Sequence, residues 1–156
     1  MNRAIIGFHQ DSEGHWVADL DCGHAQHTRH QPPQSERPWV LSEAGRSQRL
    51  GSPLDCLRCD RRELPAGFVA YSRTPDFDAA STPAALRSRH DTKPGVWARI
   101  HVLAGQLRYR THAPFHDETL LGAGDVGVVL PEVEHEVEPL GEVSFHVEFY
   151  RRGDSG

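Results

Sequence analysis

Residues 131–139 read PEVEHEVEP, and the alternation in that run decides how the rear of the chain is read. Glu132, Glu134, Glu136 and Glu138 fall on one face of an extended strand, and Val133, His135 and Val137 on the other. Four carboxylates are not buried side by side, so the valines turn inward and carry His135 with them. The repeat of two residues points to a sheet.

Working outward, short apolar runs recur near 68–72, 86–90, 96–103, 106–111, 119–121, 126–130, 133–138 and 143–150. The stretches DTKPG, AG, APFHDE, GAGD and PLGE separate them as turns. Closely spaced strands with Gly and Pro turns predict a small antiparallel barrel or jelly roll. If 86–90 is a strand, Leu86, Ser88 and His90 share its inner face, giving a second inward histidine. Two imidazoles and a carboxylate are a sufficient set for a divalent metal with open positions. Glu148, in SFHVEFY, is one candidate for the carboxylate, and it faces outward if Phe145 and Phe149 fill the barrel. His101, on one face with Trp97 and Arg99, is the competing third ligand.

The front of the chain has a different texture. All three cysteines, Cys22, Cys56 and Cys59, lie in the first 60 residues. DCGHAQHTRH (21–30) and LDCLRC (54–59) put a C-x-H pair and a C-x-x-C pair in one segment. An odd cysteine count argues against a disulfide framework. A C-x-x-C turn presents two thiolates to one ion, and Cys22 with His24 completes a four-donor zinc site, with His27 and His30 as alternative fourth ligands. Such a site has no open position, so it scaffolds rather than catalyses. The reading also explains how some 65 residues, marginal on hydrophobic burial alone, can stay folded.

Strands near 4–8 and 15–20 and a helix over SEAGRSQRL, capped by Ser42 and ended by Gly51, give this zinc-ribbon-like module an α+β character. Pro65, Ala66 and Gly67 mark the boundary. The predicted organisation is a Cys/His-rich domain over 1–66, a β-barrel over 67–152 and a disordered tail over 153–156.

The 156 residues are 37% hydrophobic and 25% charged, as in a folded globular protein, with a net charge of −5. The charge argues against a general nucleic-acid binder. Arg46, Arg49, Arg58, Arg61 and Arg62 crowd one stretch, but acidic neighbours offset them and the front module has a net charge of −1. No apolar run spans a bilayer, and His9, Gln10 and Asp11 interrupt the opening AIIGF, so neither a membrane partner nor a signal peptide is expected and the location is read as cytoplasmic.

Two resemblances add to this reading. The run IIGFHQDSEGHWVADLDCGHAQHTRHQPP, followed by RPWVL, GR, LG and LDCLRC, resembles an uncharacterised bacterial Cys/His-rich domain family over about 4–62; it implies no activity. His9 and His15 belong to the same pattern. YSRTPDFD, PAALRSRHDTKPGVWARIHVLAGQLRYR and LPEVEHEVEPLGEVSFHVEFYRR resemble the cupin-type domains related to the N-terminal part of long tellurite-resistance TehB proteins. That resemblance implies a double-stranded β-helix barrel, with His90, Lys93, Trp97, Arg99, Gly105, His135 and Glu148 at pattern positions and Lys93, Trp97 and Arg99 as ligand contacts. No methyltransferase segment follows, so no S-adenosylmethionine chemistry is expected. Only His90 stands near the place where metal cupins have an H-x-H plus Glu motif.

Together these readings predict a structural zinc in front and a barrel that binds or transforms a small anionic molecule. A second divalent metal at His90, His135 and Glu148 and a role in oxyanion or tellurite tolerance accompany that expectation. The alternative is a non-catalytic zinc-ribbon interaction module fused to a structural or sensing barrel. Small barrels often pair, which leaves a homodimer open.

Overall fold

The computed structural model describes residues 1–154, and the chain divides into two compact units, one ending at Pro65 and the other starting at Ala66. Half of the tail expected at 153–156 lies outside the described residues; Gly153 still donates its N–H to the Gly67 carbonyl.

In the front unit β1 (Asn2–Gln10) and β2 (Trp16–Leu20) form a hairpin, with β3 (Ala25–His27) beside β2 and β4 (Pro53–Asp55) on the other edge of β1. Gly14, at φ 80°, closes the hairpin turn and is in open space. Two short helices accompany this sheet. In α1 (Glu43–Gln48) the Ser42 hydroxyl accepts from the Gly45 N–H, so the cap read from the sequence is formed. The other, α2 (Leu57–Asp60), begins at Cys56. Ile5, Val17, Ala18, Leu20 and Val40 form a small core, and Cys22, Cys56 and Cys59 are buried as completely as any of them.

In the rear unit β6 (Trp97–Thr111) pairs along its whole length with β9 (His135–Arg152), from Trp97 opposite Tyr150 to Thr111 opposite His135. On its other edge β6 holds β8 (Val126–Val129) near its start and β7 (Asp117–Gly122) near its end, while β5 (Phe68–Arg73) flanks β9. The predicted mainly-β class holds, as a curled antiparallel sheet.

Two predicted turns are absent. The AG and PLGE stretches lie inside β6 and β9, so four expected strands are two long ones, joined across bulges at Val102–Ala104 and Gly105–Gln106. The bulges shift the alternation. Ala98, Ile100 and Val102 are buried before them, and Leu107, Tyr109 and Thr111 after them, so the inner face passes from even to odd numbers. Gly105 sits at this step at φ 75°, where an added Cβ would lie 2.0 Å from the Glu142 carbonyl oxygen.

The strand expected over 86–90 is not formed. Pro83 starts a single helical turn, α3 (Ala84–Arg87), whose Ala-Ala-Leu-Arg run favours helix. His90 nevertheless reaches the sheet by exchanging two backbone hydrogen bonds with His135, at 3.0 and 2.8 Å.

The bulge glycine should therefore resist substitution. Gly105→Ala is expected to destabilise the rear unit by roughly 3 kcal/mol, through both its positive φ and the carbonyl clash. Gly124→Ala, at φ 88° in open space, should cost about 1 kcal/mol. Paired urea melts measure the difference; equal costs would show that the bulge is not tightly packed.

Candidate metal centre and barrel cavity

Cys22 and His24 flank Gly23, which takes φ 98° in the turn between β2 and β3. The turn is tight, closed by Gly23 N–H to Leu20 O and Leu20 N–H to His24 O, each 2.9 Å. Cys56 and Cys59 come from the start and interior of α2. One ligand atom from each of the four residues lies within 4.8 Å of all the others, and all four residues are buried.

The His24 ring is aimed. Its Nδ1 lies 3.4, 3.3 and 3.5 Å from the sulfurs of Cys22, Cys56 and Cys59. Its Nε2–H donates to the Glu63 carbonyl at 2.7 Å, which fixes the ring and leaves Nδ1 toward the sulfurs. The Glu63 carbonyl is a backbone group that no motif could have disclosed. The Cys22 and Cys56 sulfurs are 3.9 Å apart, too far for a disulfide, and the cysteines are free. Contact with Cys22 and Cys59 favours the Cys56 thiolate, while contact with Cys56 and Cys59 pushes the Cys22 thiol up. Burial lowers the His24 pKa, but Cys56 and Cys59 outweigh it and raise it to about 9. The cluster is electrostatically arranged for a positive charge, and these four donors could hold a metal ion.

The alternative fourth ligands are engaged elsewhere. His27 Nε2 meets Asp11 Oδ2 at 3.0 Å, and His30 Nδ1 accepts from the Arg37 N–H at 2.9 Å. His9 pairs with Asp19, and His15 lies beside Asp11 and Glu13. None of the four is among the donors that lie together at Cys22, His24, Cys56 and Cys59.

In the rear unit His90 and His135 meet, with ring centroids 4.1 Å apart. His90 Nδ1 contacts the Ser88 carbonyl at 2.9 Å and His135 Nδ1 contacts the Val133 carbonyl at 3.0 Å. A carbonyl only accepts, so each Nδ1 carries the proton. His135 is 4% exposed, and burial pushes its pKa down to about 4. Both residues line a cavity of about 410 Å³ that includes Asp91, Thr92 and Lys93, with Leu86, Ile100, Val129, Phe145 and Phe149 among its apolar walls. Tyr71 and Ser72 of β5 also reach it, as do Asp91 and Thr92 beside His90. The sequence reading missed these four, although the last two adjoin a residue it had singled out.

Glu148 does not join the histidines. Phe145 and Val147 fill the interior, so Glu148 lies on the outer face of β9, opposite Arg99. There it accepts from the Tyr150 hydroxyl and meets His101 Nε2 at 3.3 Å; the Tyr150 bond, with His101, lowers its pKa despite some burial. His101 stacks on His146 at 4.9 Å on the same face, so the competing third ligand is also outside. Of the predicted ligand contacts only Lys93 lines the cavity. Trp97 is fully buried on the opposite face, and Arg99 lies over the Tyr150 ring at 5.1 Å. Odd-numbered residues at the start of β6 point away from the cavity. Among the described residues, Cys22, His24, Cys56 and Cys59 are the one group of three or more such donors close enough to share an ion.

The matches to known proteins follow the same division. Residues 6–63 match the family described as a protein of unknown function, DUF3565, and residues 72–147 match the TehB-like domain. A DUF3565 match at the front is thus followed by a TehB-like match at the rear. It is 28% identical over 97 residues to the uncharacterised protein YeaR of Escherichia coli K12, covering 56% of this chain and 82% of YeaR. A crystal structure of an E. coli K12 protein superposes with a TM-score of 0.55 at 27% identity, over 59% of this chain and 98% of that one. TehB from Haemophilus influenzae shares the fold, with a TM-score of 0.51 at 24% identity over 56% of this chain and 32% of TehB. No helix among the described residues is long and apolar enough to cross a membrane.

The buried imidazole gives a pH signature. The folded pKa of His135 is below its unfolded value, so between pH 6.5 and 4 the unfolded chain binds more protons. Stability of the rear unit is therefore lost as pH falls through that window, by about 3 kcal/mol in all. His135→Gln does not titrate and should lose this slope while retaining the shared carboxylate effects. Parallel slopes for the two proteins in urea melts would mean that His135 is not held neutral.

Proposed function

We propose that this protein is a zinc-clamped binding protein: its front unit is held by structural zinc at Cys22, His24, Cys56 and Cys59, and its rear unit binds a small anionic molecule. The observation that carries the binding reading is the 410 Å³ cavity, which has Lys93 in its lining and the paired imidazoles of His90 and His135. Ligand sites are commonly concave and mostly apolar, with a few placed polar groups, and this cavity has that composition.

The donor set suits zinc. With Zn–S near 2.3 Å and Zn–N near 2.0 Å, a tetrahedron has edges of about 3.8 Å between sulfurs and about 3.5 Å between sulfur and nitrogen. The four distances are 3.9 Å and 3.3–3.5 Å. Zinc here supplies cohesion, and three thiolates with one imidazole leave no position for substrate. Among the described residues no third donor lies close enough to the two barrel histidines to share an ion with them, which favours a directly bound small molecule over a second divalent metal.

An interaction role for the front unit is the second reading. Ile6, Leu41, Leu50 and Leu57 are 50–67% exposed on a small unit and offer apolar contacts to a partner.

Metal analysis of the purified chain is expected to give about one zinc per chain, falling close to zero in Cys59→Ser. Chelation should collapse the front unit's amide resonances while those of the rear unit persist. A metal-free chain whose front unit melts cooperatively would overturn the zinc assignment. Titration with selenite and tellurite tests the oxyanion role directly: saturable binding lost in Lys93→Met supports it, and no binding removes it.

A further inference from the structure

The proposal of an anion-binding barrel leaves the kind of anion open, and the cavity narrows it. Its volume equals about 14 water molecules at liquid density, several times what an inorganic oxyanion displaces. Apolar side chains make up most of the walls, including the rings of Phe145 and Phe149. A hydrated inorganic ion in such a space would exchange its water for hydrocarbon. A ligand with an apolar body would instead gain from burial there.

The polar groups specify the rest. Because Nδ1 of His135 donates to the Val133 carbonyl, its Nε2 carries a lone pair. The residue is 4% exposed and lines the cavity, and Nε2 is the end of the ring directed away from the backbone. His90 is anchored to the Ser88 carbonyl in the same tautomer. The inner polar feature is thus an acceptor, which calls for an O–H or N–H donor. Lys93 supplies the cation, and Asp91 in the same lining opposes a second negative charge on the ligand, which favours a monoanion over a dianion.

We propose that the rear-unit cavity binds a small organic hydroxy acid, whose apolar body packs on the hydrocarbon walls, whose hydroxyl donates to His135 Nε2 and whose single carboxylate pairs with Lys93. This rests on the anion-binding reading and names its ligand class.

The test is calorimetric titration of the zinc-loaded full chain with the three hydroxybenzoates, 4-hydroxyphenylacetate and 2-hydroxyisocaproate. Benzoate, phenol, isocaproate and phosphate serve as comparisons. At least one hydroxy acid is expected to bind one site per chain, with its analogue lacking the hydroxyl about tenfold weaker. His135→Phe should abolish that preference while retaining binding of the analogue. Lys93→Met, at an exposed position that does not threaten folding, should equalise acid and uncharged phenol.

If phosphate or selenite binds through Lys93 and no hydroxy acid does, this inference fails and the anion-binding reading survives. If no anion binds, both fail. Nickel or zinc bound in a second site that is lost in His135→Phe would make the lone pair a metal ligand and overturn the proposal. Should His135→Phe not fold, Lys93→Met alone decides: an undiminished preference for the acid over phenol overturns it.

Discussion

The ladder between β6 and β9 is the constraint on which the rear unit depends. It fixes which residues share a face: Ile100 with Val147 inside, Arg99 with Glu148 outside, Thr111 beside His135 at the far end. Every other strand of the unit attaches to one of these two. The cavity exists because the bulges let the long pair curl while the inner face stays apolar. His90, brought in by an isolated bridge rather than a strand, completes the polar end. The separation of His135 from Glu148 follows from the same ladder, since the two occupy opposite ends of β9 and opposite faces of the sheet.

The front unit solves a different problem. Its sheet is short, its helices are one or two turns long, and its apolar core is small. Four buried donors would be a liability there without a cation, because thiolates packed against one another repel. A cation held by the four donors would turn that repulsion into cohesion and tie the β2–β3 turn to α2. The Glu63 carbonyl contributes by holding the His24 ring in the orientation the sulfurs need.

Much of this was legible in the sequence, and the failures have physical causes. Glu132–Glu138 alternated as a half-buried strand must, and the exposure pattern follows it residue by residue. The C-x-H and C-x-x-C pairs identified the donors because thiolate and imidazole chemistry is local to a few residues. Ser42 was readable as a cap for the same reason. Gly105 and Gly141 were read as ending strands, since a glycine with positive φ looks alike in a turn and in a bulge. The bulge then concealed the change of face along β6. The role of Glu148 hinged on whether Phe145 faces the barrel interior, a tertiary fact that alternation cannot supply. Ala84–Arg87 turned helical because so short a run, with three apolar residues, fits either period.

The even-to-odd step in β6 makes the unit sensitive to chain length as well as to composition. Adding or deleting one residue between Val102 and Leu107 would rotate every side chain on one side of the step to the other surface, placing Tyr109 in water and Arg108 and Arg110 in the interior. The number of residues in this stretch is therefore as much a part of the fold as their identity.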